Sequence, residues 1–565
     1  MKNLKIIAGL ALACLMAGCL ASRSGEISKG GQEPQKPRLI VTTDPELDDN
    51  NSLIRFILHT DEFKVEGLVY ASSCWHWKGD GKGTVFHGGI HQGPMGGDGL
   101  QQMRWPPEGD TLFIDRVLNA YTKVYHNLKV HDPEFPAPDS LKAVVRWGNV
   151  NFEGDYAEDT PGSDLIKERI LAPSDQPLYV QVWGGPSTVA RALKSIEDEY
   201  SGTPQWEEVK AKVNKTLVIL LSGYQDNTYE NYISKVWPDV KAYFTADYDN
   251  TPAKNRVGGT GLGMAYNSQF SMPDEARAYY MADWMDEHVT GVGPLGAEEY
   301  VWGDGKFMAG KGKSSEIYGF SDPDDPVLLE VTGGRGGFLL PKGTYISEGD
   351  NGCFMNFYGN GLRAWEDWTW GGFTGRLEPD PTQADIQAAK ERMAALMKRL
   401  ADANRPGPAR AQEKQPTYEE RWARLLAQPK AQIDTVLPDF RIEVQEDLAA
   451  RLQWSVNSDY SAANHAPVIS GPLAIEAKPG QKLKLAVTVS DPDGNQTSKE
   501  WKIWGVGTYK GQVQFTPVIS EGKCTAELTV PSDAVPGQTI HAVMRVRDNA
   551  QNPMTSYLRT VISVK

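Results

Sequence analysis

Three aspartates, Asp44, Asp48 and Asp49, fall within six positions of the stretch RLIVTTDPELDDNNSLIRF, directly after a short apolar run. Carboxylates gathered this closely can hold a hard divalent cation or take up a proton. Two carboxylates about 4 Å apart repel by roughly 4 kcal/mol at an effective dielectric near 20. The N-terminus of a following helix returns only about 0.3 to 1 kcal/mol per charge. If the three side chains converge, a cation or proton uptake has to make up the difference, and hard oxygen ligands favour calcium or magnesium. The alternative is that one aspartate caps the helix while the others point to water.

Holding such a cluster in place requires a rigid frame, and the chain from Arg38 onward supplies the pattern of one. Apolar runs alternate with amphipathic segments: RLIVTT, a helix over about 51–59, VEGLVYA, a helix over about 112–128, LYVQVW, a helix from Ser187, and TLVILLSG. Continuous apolar strands separated by helices predict an α/β fold with a mostly parallel sheet flanked by helices. Ligands in such sheets sit at the carboxyl ends of the strands, where the aspartates fall. Large loops interrupt the alternation over residues 75–105 and 303–349. A helix is predicted from near Thr382, followed by the linker-like NRPGPARAQEKQP and by a second capping box, Thr417 with Glu420. From Asn464 the texture changes to short alternating strands, KLKLAVTVS, AELTVP, IHAVMRVRD and YLRTVISV, divided by Gly, Pro, Asn and Asp turns. About a hundred residues of this kind predict an immunoglobulin-like β-sandwich.

At 565 residues the chain has room for two or three units. A formal charge of -15, with no dense Lys/Arg stripe, repels phosphate backbones and argues against a nucleic-acid partner. Lys2 and Lys5 precede an apolar run over 6–17 that is too short to span a membrane and reads as an export signal. It ends in LMAGC, which resembles the bacterial lipobox, so Cys19 is the expected lipidation site and membrane anchor. Residues 20–37 then form a flexible tether. With Cys14 in the signal and Cys19 in the anchor, Cys74, Cys353 and Cys524 remain, without the spacing of a disulfide framework or a zinc site. AGKGKSS lacks the first glycine of a phosphate loop, since Phe307 stands there, and Asp491 and Asp493 lie in acidic turns that are turns before they are ion sites.

The loop TTDPELDDNNSL resembles the N-terminal signature of the inosine-uridine type nucleoside hydrolases, an Asp-x-Asp-Pro-Gly-x-Asp-Asp turn after a strand. That resemblance implies bound Ca2+ and attack by activated water on the anomeric carbon of a sugar. Position by position it implies Asp44 as metal ligand and general base, Asp49 as metal ligand, and Asp48 as a contact to water or sugar hydroxyls. WGGPSTVARAL is similar to a further family segment and places the Trp183 carbonyl in the metal shell. LVILLSGYQDNTYENYI offers Asn227, Glu230 and Asn231 for hydroxyl recognition, or, for the two asparagines, merely a turn. SEGDNGCFMNF offers Asp350 as the distal metal aspartate at the start of an apolar helix, or as a simple cap of that helix.

Departures accompany the matches. Thr42 and Glu46 replace the family's first Asp and its Gly, Ser72 and Ser73 lie where a sugar-binding Asn is expected, and Gly349 replaces the His that protonates a purine. His76, His87 and His91 could supply an acid or be surface histidines. The whole pattern, with WTWGGFTGR, FRIEVQEDLAARLQW and the NHAP to DPDG sandwich, resembles bacterial cellulose-binding proteins with a nucleoside-hydrolase-like domain. It implies an exported protein of the cell envelope with a carbohydrate partner, in which Trp75, Trp77, Trp365, Trp368 and Trp370 are stacking candidates, although most buried tryptophans are core. The expectation is therefore a signal peptide (1–19), a tether (20–37), a nucleoside-hydrolase-like domain with a helical extension (38–463) and a sandwich (464–565). Its expected activity is calcium-dependent glycosyl hydrolysis on plant-type polysaccharide. The alternatives are a non-catalytic carbohydrate binder and a nucleoside N-ribohydrolase.

Overall fold

In a computed structural model of the chain, residues 36–74, 76–84, 112–246, 254–259, 272–300, 348–404, 423, 436–520 and 523–565 are described. Cys19, Trp75, His87, His91, the AGKGKSS segment and the Thr417 capping box lie outside the described residues.

Six strands, β1 (Arg38–Thr43), β2 (Lys64–Tyr70), β3 (Val145–Trp147), β4 (Leu178–Val182), β5 (Leu217–Leu221) and β6 (Lys241–Phe244), form one sheet in the order β3-β2-β1-β4-β5-β6. Every neighbouring pair is parallel. Successive side chains in a strand point to opposite faces, and here both faces are buried. Leu39, Val41, Tyr179, Val218 and Leu220 enter one core, while Ile40, Leu178, Val180, Val182, Ile219 and Leu221 enter the other. The strands read as unbroken apolar runs because neither face meets water.

Helices α1 (Leu47–Ile57) and α2 (Phe113–His131) pack on the first face; α3 (Pro161–Leu171), α4 (Ser187–Tyr200) and α5 (Trp206–Thr216) pack on the second. α1 starts four residues earlier than the expected 51, with Glu46 extended at its N-cap, so Asp48 and Asp49 stand inside its first turn. Further along, β7 (Val257–Gly259) pairs with β8 (Gly375–Leu377), and α6 (Gln383–Asn404) follows. The apolar helix expected after Asp350 is instead two short 3₁₀ turns, Asn351–Cys353 and Met355–Phe357. Asn351, Gly352, Asn356 and Gly359 are poor helix formers and break the run.

The C-terminal unit is a sandwich of two sheets. β10 (Ala474–Ala477), β16 (Thr555–Val564), β15 (Thr539–Asp548) and β12 (Thr497–Trp504) form one; β13 (Gln514–Val518), β14 (Lys523–Thr529), β11 (Lys482–Ser490) and β9 (Val468–Ser470) form the other. In β15 the period-two pattern is sharp. Ile540, Ala542, Met544 and Val546 fill the sandwich core, while Arg545 and Arg547 on the opposite face meet helix α7 (Arg441–Val456). Arg545 Nε lies 2.7 Å from Glu443 and Arg547 Nε 3.1 Å from Glu446. α7 is buried along most of its length. On its other side Arg451 pairs with Asp61 at 2.8 Å, and Asp447 Oδ2 lies 2.7 Å from His59 Nε2.

Candidate metal and carbohydrate site

The carboxyl ends of β1, β2, β4 and β5 open on one buried acidic centre. β1 ends into Asp44, and the turn into α1 brings back Asp49, whose Oδ1 accepts hydrogen bonds from Thr43 Oγ1 at 2.5 Å and from the Asp44 amide at 3.2 Å. After β2, Ser73 donates to Asp44 Oδ2 at 2.7 Å, and His76 Nδ1 lies 3.0 Å from the same oxygen and 3.5 Å from Glu46. Asp350 arrives from almost three hundred residues away, its amide bonded to Ser52 Oγ in α1 at 3.2 Å. Its carboxyl group hydrogen-bonds Ser222, just past β5, and Asp49. Gly184, just past β4, permits this closeness: a Cβ there would sit 2.7 Å from Asp44 Oδ1 and 3.0 Å from the Ser72 carbonyl.

The electrostatics follow from that gathering. Burial, then repulsion from Glu46, Asp350 and Asp44, holds the Asp48 carboxyl well above the ordinary carboxylate range. Asp49 is raised by burial and by Asp350, Asp44 and Asp48. Asp350 is raised chiefly by burial, with Asp44 and Glu46 adding repulsion against the hydrogen bond from Ser222. Ordinary pairing would lower these values, so the centre holds more negative charge than the protein itself offsets. Asp44 Oδ1, Asp48 Oδ1 and Asp350 Oδ2 are buried without a hydrogen-bond partner. Orphaned, hard, anionic oxygens from separate segments fit a divalent cation. Among the described residues two sets have ligand atoms mutually within 4.8 Å, Asp44 with Glu46 and His76, and Glu46 with Asp48 and Asp49; Asp350 belongs to neither.

The other expected residues divide. The Trp183 carbonyl, next to Gly184, accepts a hydrogen bond from Gln225 Nε2, which leaves its second lone pair for a cation. Asn227 is half-buried, whereas Glu230 and Asn231 are exposed, at the Tyr229–Ile233 turn beyond β5. Trp368 lies in the core. It is 6% exposed, with its ring against Tyr243 and Phe357 at centroid distances of 5.2 and 5.8 Å, because the Trp-Thr-Trp segment folds onto the sheet rather than over it. Trp77 is core as well, at 2% exposure.

Four features escaped the sequence reading. Glu46 is a member of both ligand-distance sets, and its acidic type in a turn otherwise built from aspartates was the available signal. Ser222 on Asp350 carried none. Asp226, pushed up to about 6 by burial, takes the Ser187 amide at 3.0 Å and so caps α4. Trp147, at the end of β3, is the tryptophan most open to solvent among those described, at 38%. At the opposite end of the sheet a shallow cleft is lined by Arg38, Lys64, Glu66 and Arg169. Arg38 and Lys64 there pair with Glu66 at 2.8 and 2.7 Å, so it is a salt-bridged surface with no spare chemistry.

Comparison with known proteins accords with this geometry. A solved structure described as a nucleoside hydrolase-related hypothetical protein from Saccharophagus degradans, associated with carbohydrate metabolism, matches over 94% of this chain and 100% of its own, at 21% identity and a TM-score of 0.60. The fold is thus shared along nearly the whole length. The SrpA adhesin of Streptococcus sanguinis matches over 18% of this chain and 57% of its own, at 13% identity and a TM-score of 0.14, too low to bear on the argument. No curated protein matches the chain. Residues 482–564 match the family described as cellulose-binding protein Sde0182, C-terminal domain. Residues 38–377, which contain every carboxylate of the centre, match the family described as cellulose-binding Sde182, nucleoside hydrolase-like domain, and the chain belongs to that family.

Proposed function

We propose that the α/β domain holds calcium on Asp44, Asp49, Asp350 and the Trp183 carbonyl, and hydrolyses a glycosyl bond of a plant-type polysaccharide laid across the carboxyl end of the sheet. The observation that carries this reading is the arrival of Asp350, about three hundred residues further along the chain, beside Asp49 and Asp44, with Asp44 Oδ1 and Asp350 Oδ2 buried and unpartnered. Bound calcium supplies the charge that lets these carboxylates stay ionised together and polarises oxygen ligands. The chain's own groups do the rest. Ser73 and His76 fix Asp44 by its Oδ2, which aims Oδ1 into the centre, and the Asp44 carboxylate takes up the proton of the attacking water. Asp48, the most open of the three at 9% exposure, faces sugar hydroxyls, and Asn227 lies beyond it. Trp147, with Lys78 Nζ 5.0 Å from its ring centroid, takes the place of Trp368 as the aromatic contact to the sugar, and the family's cellulose-binding description supports the carbohydrate partner. In the same reading Cys19 carries a lipid that holds the chain to the bacterial envelope, tested by palmitate labelling of the parent and of Cys19→Ser.

A second reading, carbohydrate binding without turnover, is favoured by Gly349. A Cβ there would fall on the Asp48 carboxylate, so the position where the related hydrolases place an acid cannot carry a side chain while Asp48 stays. Calcium calorimetry, retention on insoluble cellulose and release of reducing sugar, measured on the parent and on Asp44→Asn, separate the readings. Hydrolysis lost in Asp44→Asn with retention intact supports the enzyme; retention with no turnover in calcium supports the binder. Absence of calcium binding to the parent would remove the proposed chemistry.

A further inference from the structure

The docking face of the sandwich carries a second concentration of charge, opposite in sign and far in sequence from the aspartates. Arg559 on β16, His541 on β15 and Trp504 on β12 point the same way, as the pairings His541 with Trp504 and Val543 with Arg559 require. Against them, from the first domain, lie Arg363 and Trp370. Arg559 Cζ sits 5.6 Å over the Trp370 ring and 5.2 Å over Trp504, and Arg363 Cζ 5.5 Å over Trp370. His541 meets Trp370 edge to face at 5.2 Å.

Hydrogen bonding leaves this cluster incomplete. Arg559 is fully buried, and one of its amino groups donates to the Gly371 carbonyl at 2.7 Å. Its Nε and Nη1, the Arg363 Nε and both ring nitrogens of His541 are buried with no hydrogen-bond partner. Among the described residues no carboxylate comes within ion-pair distance of Arg559. Glu366 pairs with Arg363 at 3.4 Å from a partly exposed position and acts on Arg559 only from further away. Asp367 acts on Arg559 from further away, and Lys510 adds positive potential at His541. Burial and that potential hold His541 neutral, down to about 3, and bring Arg559 to about 9. Indole faces attract a cation but provide no lone pair for the N–H groups. A water accepts a hydrogen bond yet brings no charge to two neighbouring guanidinium groups.

What is missing is therefore a group with several acceptor oxygens and a negative charge. We propose that this seam between the domains is an oxyanion site, in which a carboxylate, sulfate or phosphate group is held by Arg559, Arg363 and His541 beside the indoles of Trp370 and Trp504. Arg363, at 20% side-chain exposure, is the more open of the two arginines. The oxygens come either from a free inorganic ion or from the carboxylate of an acidic sugar, and the chemistry recognised is the same. The site stands apart from the aspartate centre, so its failure leaves the reading of that centre untouched.

The test uses the full chain and low-millimolar sodium sulfate, sodium phosphate and sodium glucuronate, each against sodium chloride at equal ionic strength. Calorimetry and the His541 ring resonances report binding. The expected result is saturable binding of at least one oxyanion, displacement of the His541 resonances, and an affinity at least tenfold weaker in Arg559→Gln. Should Arg559→Gln fail to fold, Arg363→Gln at the rim is expected to weaken binding by a similar factor. Tighter binding of sulfate or phosphate than of glucuronate supports the inorganic ion as occupant, and the reverse order supports the sugar acid. No saturable binding of any of the three, or binding unchanged in both variants, overturns the proposal.

Discussion

Replacing Asp350 by Asn preserves the shape of the side chain and its capacity to bond Ser222, while deleting one charge from a centre that has too many. Two like charges about 4 Å apart cost roughly 4 kcal/mol at an effective dielectric near 20. Proton uptake already relieves part of that in the parent, which leaves a stabilisation of about 1 to 2 kcal/mol for Asp350→Asn in chelator at pH 7.5. For a domain of this size that is a rise of roughly 1 to 3 °C in melting temperature. The folded-state values of Asp48, Asp49 and Asp350 lie above the ordinary 3.8. Their stabilising contribution is thus complete below about pH 3.8 and lost as pH rises through the folded values. The gap between variant and parent should therefore shrink as pH falls toward 5. Calcium reverses the order: at a hundred times the dissociation constant the parent gains about 2.7 kcal/mol by mass action, and the variant, short of a ligand, gains little. Thermal unfolding of both proteins, in chelator and in calcium at pH 5 and 7.5, gives four comparisons. A variant less stable than the parent by the same amount in all four, with its calcium shift intact, would refute the convergence of charge on which the site rests.

His59 is depressed to about 4 by burial and by Arg451, so stability present above pH 6.5 should fall by about 3 kcal/mol as pH drops toward 4, and urea titrations of the parent and of His59→Gln will show whether this limb flattens. Arg451→Met removes the buried cation that pairs with Asp61 and Asp447 and should cost about 3 to 5 kcal/mol in chemical denaturation, part of it recovered by adding Asp61→Asn. Trp368→Ala should lower stability by about 3 to 5 kcal/mol with cellulose retention per folded molecule unchanged, whereas Trp147→Ala should lower retention with little change in stability. Gly349→Ala drives a methyl group into the Asp48 carboxylate and should weaken retention on cellulose more than calcium binding measured by calorimetry, while retaining the fold seen by circular dichroism.

The parallel sheet was legible because both of its faces are buried, so β1, β4 and β5 read as unbroken apolar runs. The sandwich was legible because β11 and β15 alternate. Helix starts were less so. α1 begins on Leu47 because Glu46 takes the extended cap position, although nothing in Pro-Glu-Leu-Asp marks one of those residues as the boundary. The partnership of Asp350 with Asp49 depends on a contact across almost three hundred residues, and family resemblance rather than local pattern pointed to it. Trp368 and Trp147 are the same residue type in similarly polar surroundings, and only the fold decides that one is core and the other rim. α7 misleads most: RIEVQEDLAARLQW has the charge density of a solvated helix and is nearly all buried, because Glu443, Glu446, Asp447 and Arg451 find partners from other segments while Arg441 pairs with Asp439 just before the helix.

Those partners give α7 a place in the site. Arg545 and Arg547 of the sandwich fix Glu443 and Glu446 on one side of the helix. On the other, the Val444 carbonyl accepts from Arg55 at 2.7 Å and Asp447 holds His59, both residues belonging to the C-terminal half of α1 or the turn after it. Arg55 also forks onto Glu348, two residues before Asp350. The sandwich thus seats α7; α7 seats α1, whose first turn carries Asp48 and Asp49; and α1, through Arg55, seats the segment that delivers Asp350. Carboxylates that repel one another need a frame that resists their separation, and here that frame runs through buried ion pairs whose disruption costs more than their formation contributes. The C-terminal unit is on this account part of the support of the acidic centre, and its buried charges are retained for the geometry they impose.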